Sequence, residues 1–191
     1  KPAGDHDFHF STNFGLFPVA SMKPEVSQFF ERILSQFGIS YDEITTPTRC
    51  RCIILNNDGT KVAMVRRIKK NMSEYFVFPG GGVKKDDKSF VDTMFREIDE
   101  ELGLKRDCIV LIKDRVIEDN DVFKNEVKEE HFKYLAFLGV SKSDDIKTNG
   151  SAPELSRDNG IYEPCWVPLK DLHKLKVKHT FLKEIVLKSL V

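Results

Sequence analysis

Residues 80–104 read GGGVKKDDKSFVDTMFREIDEELGL, and this stretch constrains the chain more than any other. Three successive glycines carry no side chains, so they predict a turn where the main chain can approach another group closely. Beyond them Val91, Met94, Phe95, Ile98 and Leu102 recur at helical spacing and predict a helix with one apolar face. Asp87 or Ser89 is placed to cap its start, and Gly103 closes it. Positions i, i+3 and i+4 share a helix face, so Glu97, Glu100 and Glu101 converge on one patch. That patch is expected to face away from the core, beside the glycine turn. Three carboxylates so placed repel one another unless a cation sits among them. Oxygen donors alone suit Mg²⁺ or Mn²⁺ far better than zinc. Acidic runs are ordinarily solvated helix faces, and triple glycines are ordinarily hairpin connections. The two side by side, with an apolar stripe opposite, favour a metal site.

This arrangement resembles the Nudix box, G-x5-E-x7-R-E-U-x-E-E-x-G-U, where U is a bulky aliphatic residue. Arg96-Glu97-Ile98-Asp99-Glu100-Glu101-Leu102-Gly103-Leu104 fills the second half of the pattern, and counting back from Arg96 puts Gly82 at its first glycine. Phe78-Pro79-Gly80-Gly81 resembles the family's approach to the box. One position departs: the isolated glutamate falls on Lys88, with Asp87 one residue before it. Taking Gly81 as the first glycine instead leaves one extra residue in the loop. In the family that glutamate mainly supports the box arginine. The departure therefore bears on the partner of Arg96, for which Asp86, Asp87 or another nearby acid is expected to substitute.

The resemblance implies an α/β fold, a Nudix-type α/β/α sandwich with a mixed sheet. It implies metal-dependent hydrolysis of a diphosphate bond in a compound holding a nucleoside diphosphate. The FPGGGV approach and the small size look most like MutT-type nucleoside triphosphate pyrophosphatases. The alternatives are hydrolysis of ADP-ribose, another nucleotide sugar or a dinucleotide, and a catalytically weak nucleotide-binding regulator. The implied Mg²⁺ or Mn²⁺ ligands are Glu97, Glu100 and Glu101, joined by the carbonyl next to the first glycine, at Gly81; Arg96 would orient the carboxylates. Many family members recruit a further carboxylate outside the box as base or ligand, and here Glu126, Glu129 and Glu130 are available.

Outside the box, alternation along strands sends Arg49 and Arg51 to one face and sets Arg66 opposite Arg67. Arg51 and Arg66 are candidates to grip a phosphate, and Phe78, with Phe76, to stack a base. Strand-end charge and core packing are the plainer roles for these side chains.

Length and charge narrow the setting. The chain's 191 residues suffice for one well-buried domain. Its 30 basic and 30 acidic residues cancel, which argues against nucleic-acid or membrane binding by bulk charge and leaves a small nucleotide as the partner. No apolar run approaches the roughly 20 residues of a membrane span. Cys50, Cys52, Cys108 and Cys165 lack zinc-finger spacing and read as reduced thiols of a cytoplasmic protein.

Residues 1–21 show no strand or helix period yet carry Phe8, Phe10, Phe14 and Phe17. Met22 follows, so this segment is expected to derive from an expression vector, with the domain over 22–191. If ordered, such an arm needs an apolar surface to cover, on its own domain or on a second copy, which leaves a homodimer open.

A helix added before the domain core is expected from Pro24, with Val26, Phe29, Phe30, Ile33, Leu34 and Phe37 inward and Gly38 as its stop. Strands are expected over 48–55 and 61–67 around the Asn56–Gly59 hairpin signal, then over 75–78, 109–116, 132–140 and 162–167. Residues 119–130 read as a polar loop, and 141–160 as a mobile surface loop. A helical turn is expected over 169–172, and a C-terminal helix over 181–190.

Overall fold

The computed structural model describes residues 9–12, 15–18, 23–36, 49–113, 118–124, 129–151 and 160–190. Strands β1 (His9–Thr12) and β2 (Gly15–Pro18) form a hairpin before helix α1 (Pro24–Ser35). There follow β3 (Arg49–Leu55), β4 (Lys61–Ile68), β5 (Tyr75–Val77), β6 (Gly80–Gly82) and α2 (Phe90–Leu102). Next come β7 (Ile109–Lys113), β8 (Glu118–Lys124), β9 (Glu129–Ser141), β10 (Ile161–Pro168) and α3 (Thr180–Ser189). Short 3₁₀ turns occupy Arg106–Cys108 and Leu169–Lys174.

Among the described residues, eight strands make one sheet with the spine β10-β4-β3-β9-β7. β3 and β9 are parallel, from Arg49↔Tyr134 to Leu55↔Val140, and the other pairings are antiparallel, so the sheet is mixed. Alternation along β3 divides the core. Ile53 and Leu55 point to the layer built by α1 and α3, whereas Cys50, Cys52 and Ile54 point to the apolar stripe of α2. The sheet therefore lies between two helix layers, as the sequence leads one to expect.

The hairpin at Asn56–Gly59 opens quickly. β3 and β4 are registered only at Leu55↔Val62, after which they part. β5 pairs along β4, and β6 pairs along β3. Chain from 75 to 82 thus fills the wedge between two diverging strands. The triple glycine is consequently a strand rather than a free turn, registered as Arg51↔Gly80, Cys50↔Gly81 and Arg49↔Gly82. Gly80 has φ of 145°, and a Cβ there would strike the Cys50 carbonyl, so no larger residue fits this close pairing.

Helix α1 packs on its own domain. Val26, Phe29, Phe30 and Ile33 are buried, each worth about 1.5–3 kcal/mol relative to exposure. Arg32 Nε donates to the Ser189 carbonyl at 2.6 Å, and Gln36 Nε2 to Ser189 Oγ at 2.7 Å, which ties α1 to α3. The helix ends at Ser35; Phe37 and Gly38 lie outside the described residues.

Two further expectations are corrected. Strand structure occurs at 9–12 and 15–18, where no period is visible, and β1 lies against β7 of the same chain. Phe8 and Phe14 lie outside the described residues. The supposed loop at 119–130 is largely β-ribbon, with β8 paired to β9 from Glu118↔Leu135 to Lys124↔Glu129. β8 runs at the sheet edge, along the part of β9 that extends past β3. There the backbone ladder alone can hold a strand without an apolar face, so polar sequence gives no period to read. The described part of 141–160 has no regular structure but is tied down: Trp166 Nε1 donates to the Asp144 carbonyl at 2.8 Å.

Candidate active site

Helix α2 is anchored at both ends. Ser89 Oγ accepts from the Asp92 amide at 3.2 Å, and Gly103 ends the helix in the left-handed region with φ of 66°. The Lys147 amide donates to the Leu102 carbonyl at 2.9 Å, and Thr148 Oγ1 to the Glu100 carbonyl at 3.0 Å. The last turns therefore hold Glu97, Glu100 and Glu101 in fixed positions above β6. Carboxylates at a helix C-terminus oppose the helix dipole, and no basic residue of α2 offsets them there.

These glutamates do not form a solvated patch. Glu97 and Glu101 are buried, 8% and 4% exposed, because β6 runs directly beneath them. A Cβ at Gly81 would overlap the Glu97 carboxylate, so a bare backbone at 81 is what admits the side chain. Glu101 Oε1 accepts from Tyr162 Oη at 2.6 Å, and its Oε2 from the Gly80 amide at 2.9 Å. Burial, and then the charge of Glu97, push the Glu101 carboxyl up to about 8. Burial likewise raises Glu97, against the opposing pull of Arg96. Glu100 is half-buried and accepts from Lys84 Nζ at 3.0 Å.

Arg96 has a substitute for the missing glutamate. Its Nε donates to Asp87 Oδ1 at 2.9 Å and its Nη2 to Asp87 Oδ2 at 2.8 Å, a two-pronged pair. The Lys84 amide and Thr93 Oγ1 also donate to Asp87, each at 2.8 Å. These bonds, Arg96 foremost, hold the Asp87 carboxyl well below the usual carboxylate range. Arg96 Nη1 then donates to Glu97 Oε1 at 2.8 Å, and Nη2 to the Gly82 carbonyl at 2.9 Å. The arginine thus braces Glu97 and β6 together, while Lys88 is exposed.

Over the wedge between β3 and β4 lies a cavity of about 320 Å³. Glu97, Glu100 and Glu101 line it, with Lys84 beside Glu100, and so do Arg49, Arg51, Arg67 and Lys178. Arg51 is buried and donates from Nη1 to the carbonyls of Phe78 at 3.1 Å and Gly80 at 3.0 Å.

Two expected contacts are not brought here. Arg66 points to the opposite sheet face and pairs with Glu74 at 2.6 Å and Glu163 at 2.7 Å; its neighbour Arg67 lines the cavity instead. Phe78 is fully buried with Phe76 in the core under α1 and α3, and so is closed to a base. Glu126 lies outside the described residues, as do the side chains of Glu129 and Glu130 on β9. Sequence reasoning missed Tyr162 and Lys178. The only local signal was the alternation that puts Tyr162 inward on its strand. Lys178 arrives through a bridge between Val177 and Phe76, which nothing local announces.

Among the described residues no three of His, Cys, Asp and Glu stand as a ready metal cage. Arg96, Lys84, Tyr162 and the Gly80 amide engage the glutamate oxygens. The donor set still fits Mg²⁺ or Mn²⁺. It consists of hard oxygens, and two of its carboxylates are buried together in a state that a divalent cation relieves.

A model of the NUDIX domain family matches residues 46–188, well over half of the chain, and the chain belongs to that family. Helix α1 lies outside the matched range. RNA pyrophosphohydrolase of Pseudomonas putida (strain GB-1) is 38% identical over 60 residues, 31% of this chain and 35% of that protein. The chain thus spans about a third of the length of the curated relatives it matches. The fold is similar to the NUDIX domain of Shewanella oneidensis NrtR complexed with ADP ribose, with TM-score 0.56 and 14% identity over 91% of this chain and 96% of that one. It is also similar to a C. elegans Ap4A hydrolase, with TM-score 0.52 and 15% identity over 75% and 94%. Among the described residues no helix is long and apolar enough to cross a membrane.

Proposed function

We propose that the chain is a metal-dependent pyrophosphohydrolase that cuts a diphosphate bond in a nucleoside diphosphate-linked compound, a nucleoside triphosphate first among these. One observation carries this reading: a single cavity is lined both by three glutamates and by five cationic side chains. The carboxylates alone would hold metal, and the cations alone would hold phosphate. Together they would hold a phosphate chain with its metal. The 60-residue likeness to RNA pyrophosphohydrolases agrees with that chemistry.

Glu97, Glu100 and Glu101, with the main chain at Gly81, would hold Mg²⁺ or Mn²⁺, which supplies charge neutralisation and an acidified water when bound. The chain's own residues do the positioning. Arg51, fixed by the Phe78 and Gly80 carbonyls, places its positive charge in the lining, where it would attract the phosphate oxygens. Tyr162 and the Gly80 amide keep Glu101 from swinging, and Arg96, clamped on Asp87, does the same for Glu97. The bare backbone of β6 lets a phosphate approach closely.

The test is a screen of nucleoside triphosphates, ADP-ribose, dinucleotides and sugar nucleotides with Mg²⁺ or Mn²⁺, identifying both products. Metal-dependent release of a nucleoside monophosphate and its partner phosphate supports the reading. Substrate binding without turnover would favour the regulator instead.

A further inference from the structure

Tyr162 is neither one of the glutamates of the cavity nor one of its cations, yet it touches one of each. It is buried on β10 and lines the cavity. Strand register sets Tyr162 opposite Arg67 of β4, and Arg67 in turn opposite Tyr75 of β5. Registered residues share a sheet face, so Arg67 lies between two tyrosines on the strands to either side. Both tyrosines belong to the core under α2, the helix that carries the glutamates.

The Arg67 guanidinium carbon stands 4.8 Å from the centre of the Tyr162 ring, where the negative face of an aromatic ring attracts a cation. The Tyr162 hydroxyl meanwhile donates to Glu101 Oε1 at 2.6 Å, the short distance of a bond to a charged acceptor. A buried phenol and a buried carboxylate each need a polar partner, and here each supplies the other's. Donation to a carboxylate also enriches the ring in electrons, which strengthens its hold on a cation over its face. One side chain thus carries an acid at its tip and a base on its face. Packing alone does not call for this residue. A phenylalanine would fill the same space and keep the ring at Arg67, but would leave Glu101 with only the Gly80 amide of its two donors.

Resting on the metal-dependent reading above, we propose that Tyr162 is a positioning residue that ties the glutamates of the site to its cations: its hydroxyl fixes Glu101 as a metal ligand, and its ring seats Arg67 in the cavity lining. It acts through these two groups and takes no part in the bond-breaking step.

The test compares the full chain with Tyr162→Phe, which keeps the ring, and Tyr162→Met, which keeps neither ring nor hydroxyl, after circular dichroism has shown all three folded. Tyr162→Leu replaces Tyr162→Met if the latter does not fold. Calorimetry measures binding of Mn²⁺ alone and, in chelator, of inorganic diphosphate. Tyr162→Phe is expected to weaken Mn²⁺ about tenfold or more, the usual cost of losing a group that orients a metal ligand, and to leave diphosphate binding nearly unchanged. Tyr162→Met should weaken Mn²⁺ equally and, in addition, weaken diphosphate about threefold. Unchanged Mn²⁺ affinity in Tyr162→Phe overturns the role of the hydroxyl. Absence of diphosphate binding in the wild type, or equal binding by all three proteins, overturns the role of the ring. If the wild type binds diphosphate but no Mn²⁺, the hydrolase reading fails and the role of the hydroxyl with it, while the diphosphate series still decides the role of the ring.

Discussion

The two sets of charged residues that line the cavity are built by opposite means. The glutamate set comes from one turn of one helix, and its members touch because the chain winds 3.6 residues per turn. The cationic set is collected from β3, β4 and the approach to α3, and exists only once β3 and β4 have parted. Their electrostatic states differ too. Arg96 and Asp87 beside the first set satisfy each other fully, yet Glu97 and Glu101 stay buried with like charge. Lys178, which lines the cavity, and His179, next to it in the chain, sit under the repulsion of neighbouring arginines. On the proposed function, the two sets together are complementary to a metal ion and a phosphate chain.

Breaking the glutamate set should have the largest effect. Glu100→Gln and Glu101→Gln are each expected to lower kcat by roughly 10²-fold or more, measured on the substrate found by screening. Circular dichroism should show both folded. Above pH 8, where the Glu101 carboxyl is ionised, Glu101→Gln should also raise the melting temperature of metal-free protein, because it removes a buried charge while still bonding to Tyr162 and the Gly80 amide.

Removing the brace should cost less activity and more stability. Asp87→Asn leaves Arg96 without its two-pronged partner and should destabilise the fold by about 2–3 kcal/mol, read from urea melts. Retained stability would mean that Glu97 and Glu100 suffice to hold the arginine.

The segment that carries Lys178 can be probed by pH through His179. Burial, and then Arg51, Lys178 and Arg49, lower the His179 imidazole to about 2, so it is neutral in the fold. The unfolded chain takes up that proton below its ordinary pKa near 6.5. Stability is therefore complete above that pH and is lost progressively as pH falls towards 2. At pH 5 the loss is about 2 kcal/mol. His179→Gln should flatten the slope between pH 7 and 5 in denaturant melts, and an unchanged slope would place the titrating group elsewhere.

The smallest effect is expected at Lys88. Asp87 already serves Arg96 and Lys88 is exposed, so Lys88→Glu should shift stability by no more than about 0.5 kcal/mol and leave kcat alone. A collapse of folding would reveal a role for the lysine that its exposure hides.

The same contrast explains what was legible in the sequence. Glu97, Glu100, Glu101 and Arg96 lie on one helix, so its spacing brings them together without knowledge of the fold, and Asp87 lies just before the helix cap. Their burial was not legible, because it depends on β6 running under α2. The triple glycine reads as a turn because strand pairing to β3 leaves no mark on a sequence without side chains. Strands β3 and β4 are legible, and so is the opposition of Arg66 and Arg67, but not which face of β4 meets the cavity, which is that of Arg67. Phe76 and Phe78 were correctly set on one face, yet only the positions of α1 and α3 show that face to be core. Lys178 depends on a bridge spanning a hundred residues and had no local signal at all.

The central claim is that the buried glutamates are poised for a divalent ion that turns the cavity into a hydrolytic site. Titrating Mg²⁺ or Mn²⁺ into exhaustively chelated protein, while following the thermal melt and nucleoside triphosphate turnover together, tests it most directly. The melting temperature and the rate should rise along one saturable curve, since an ion that binds only the folded state stabilises it. Full turnover before any metal is added, with no change in melting on addition, would contradict the account.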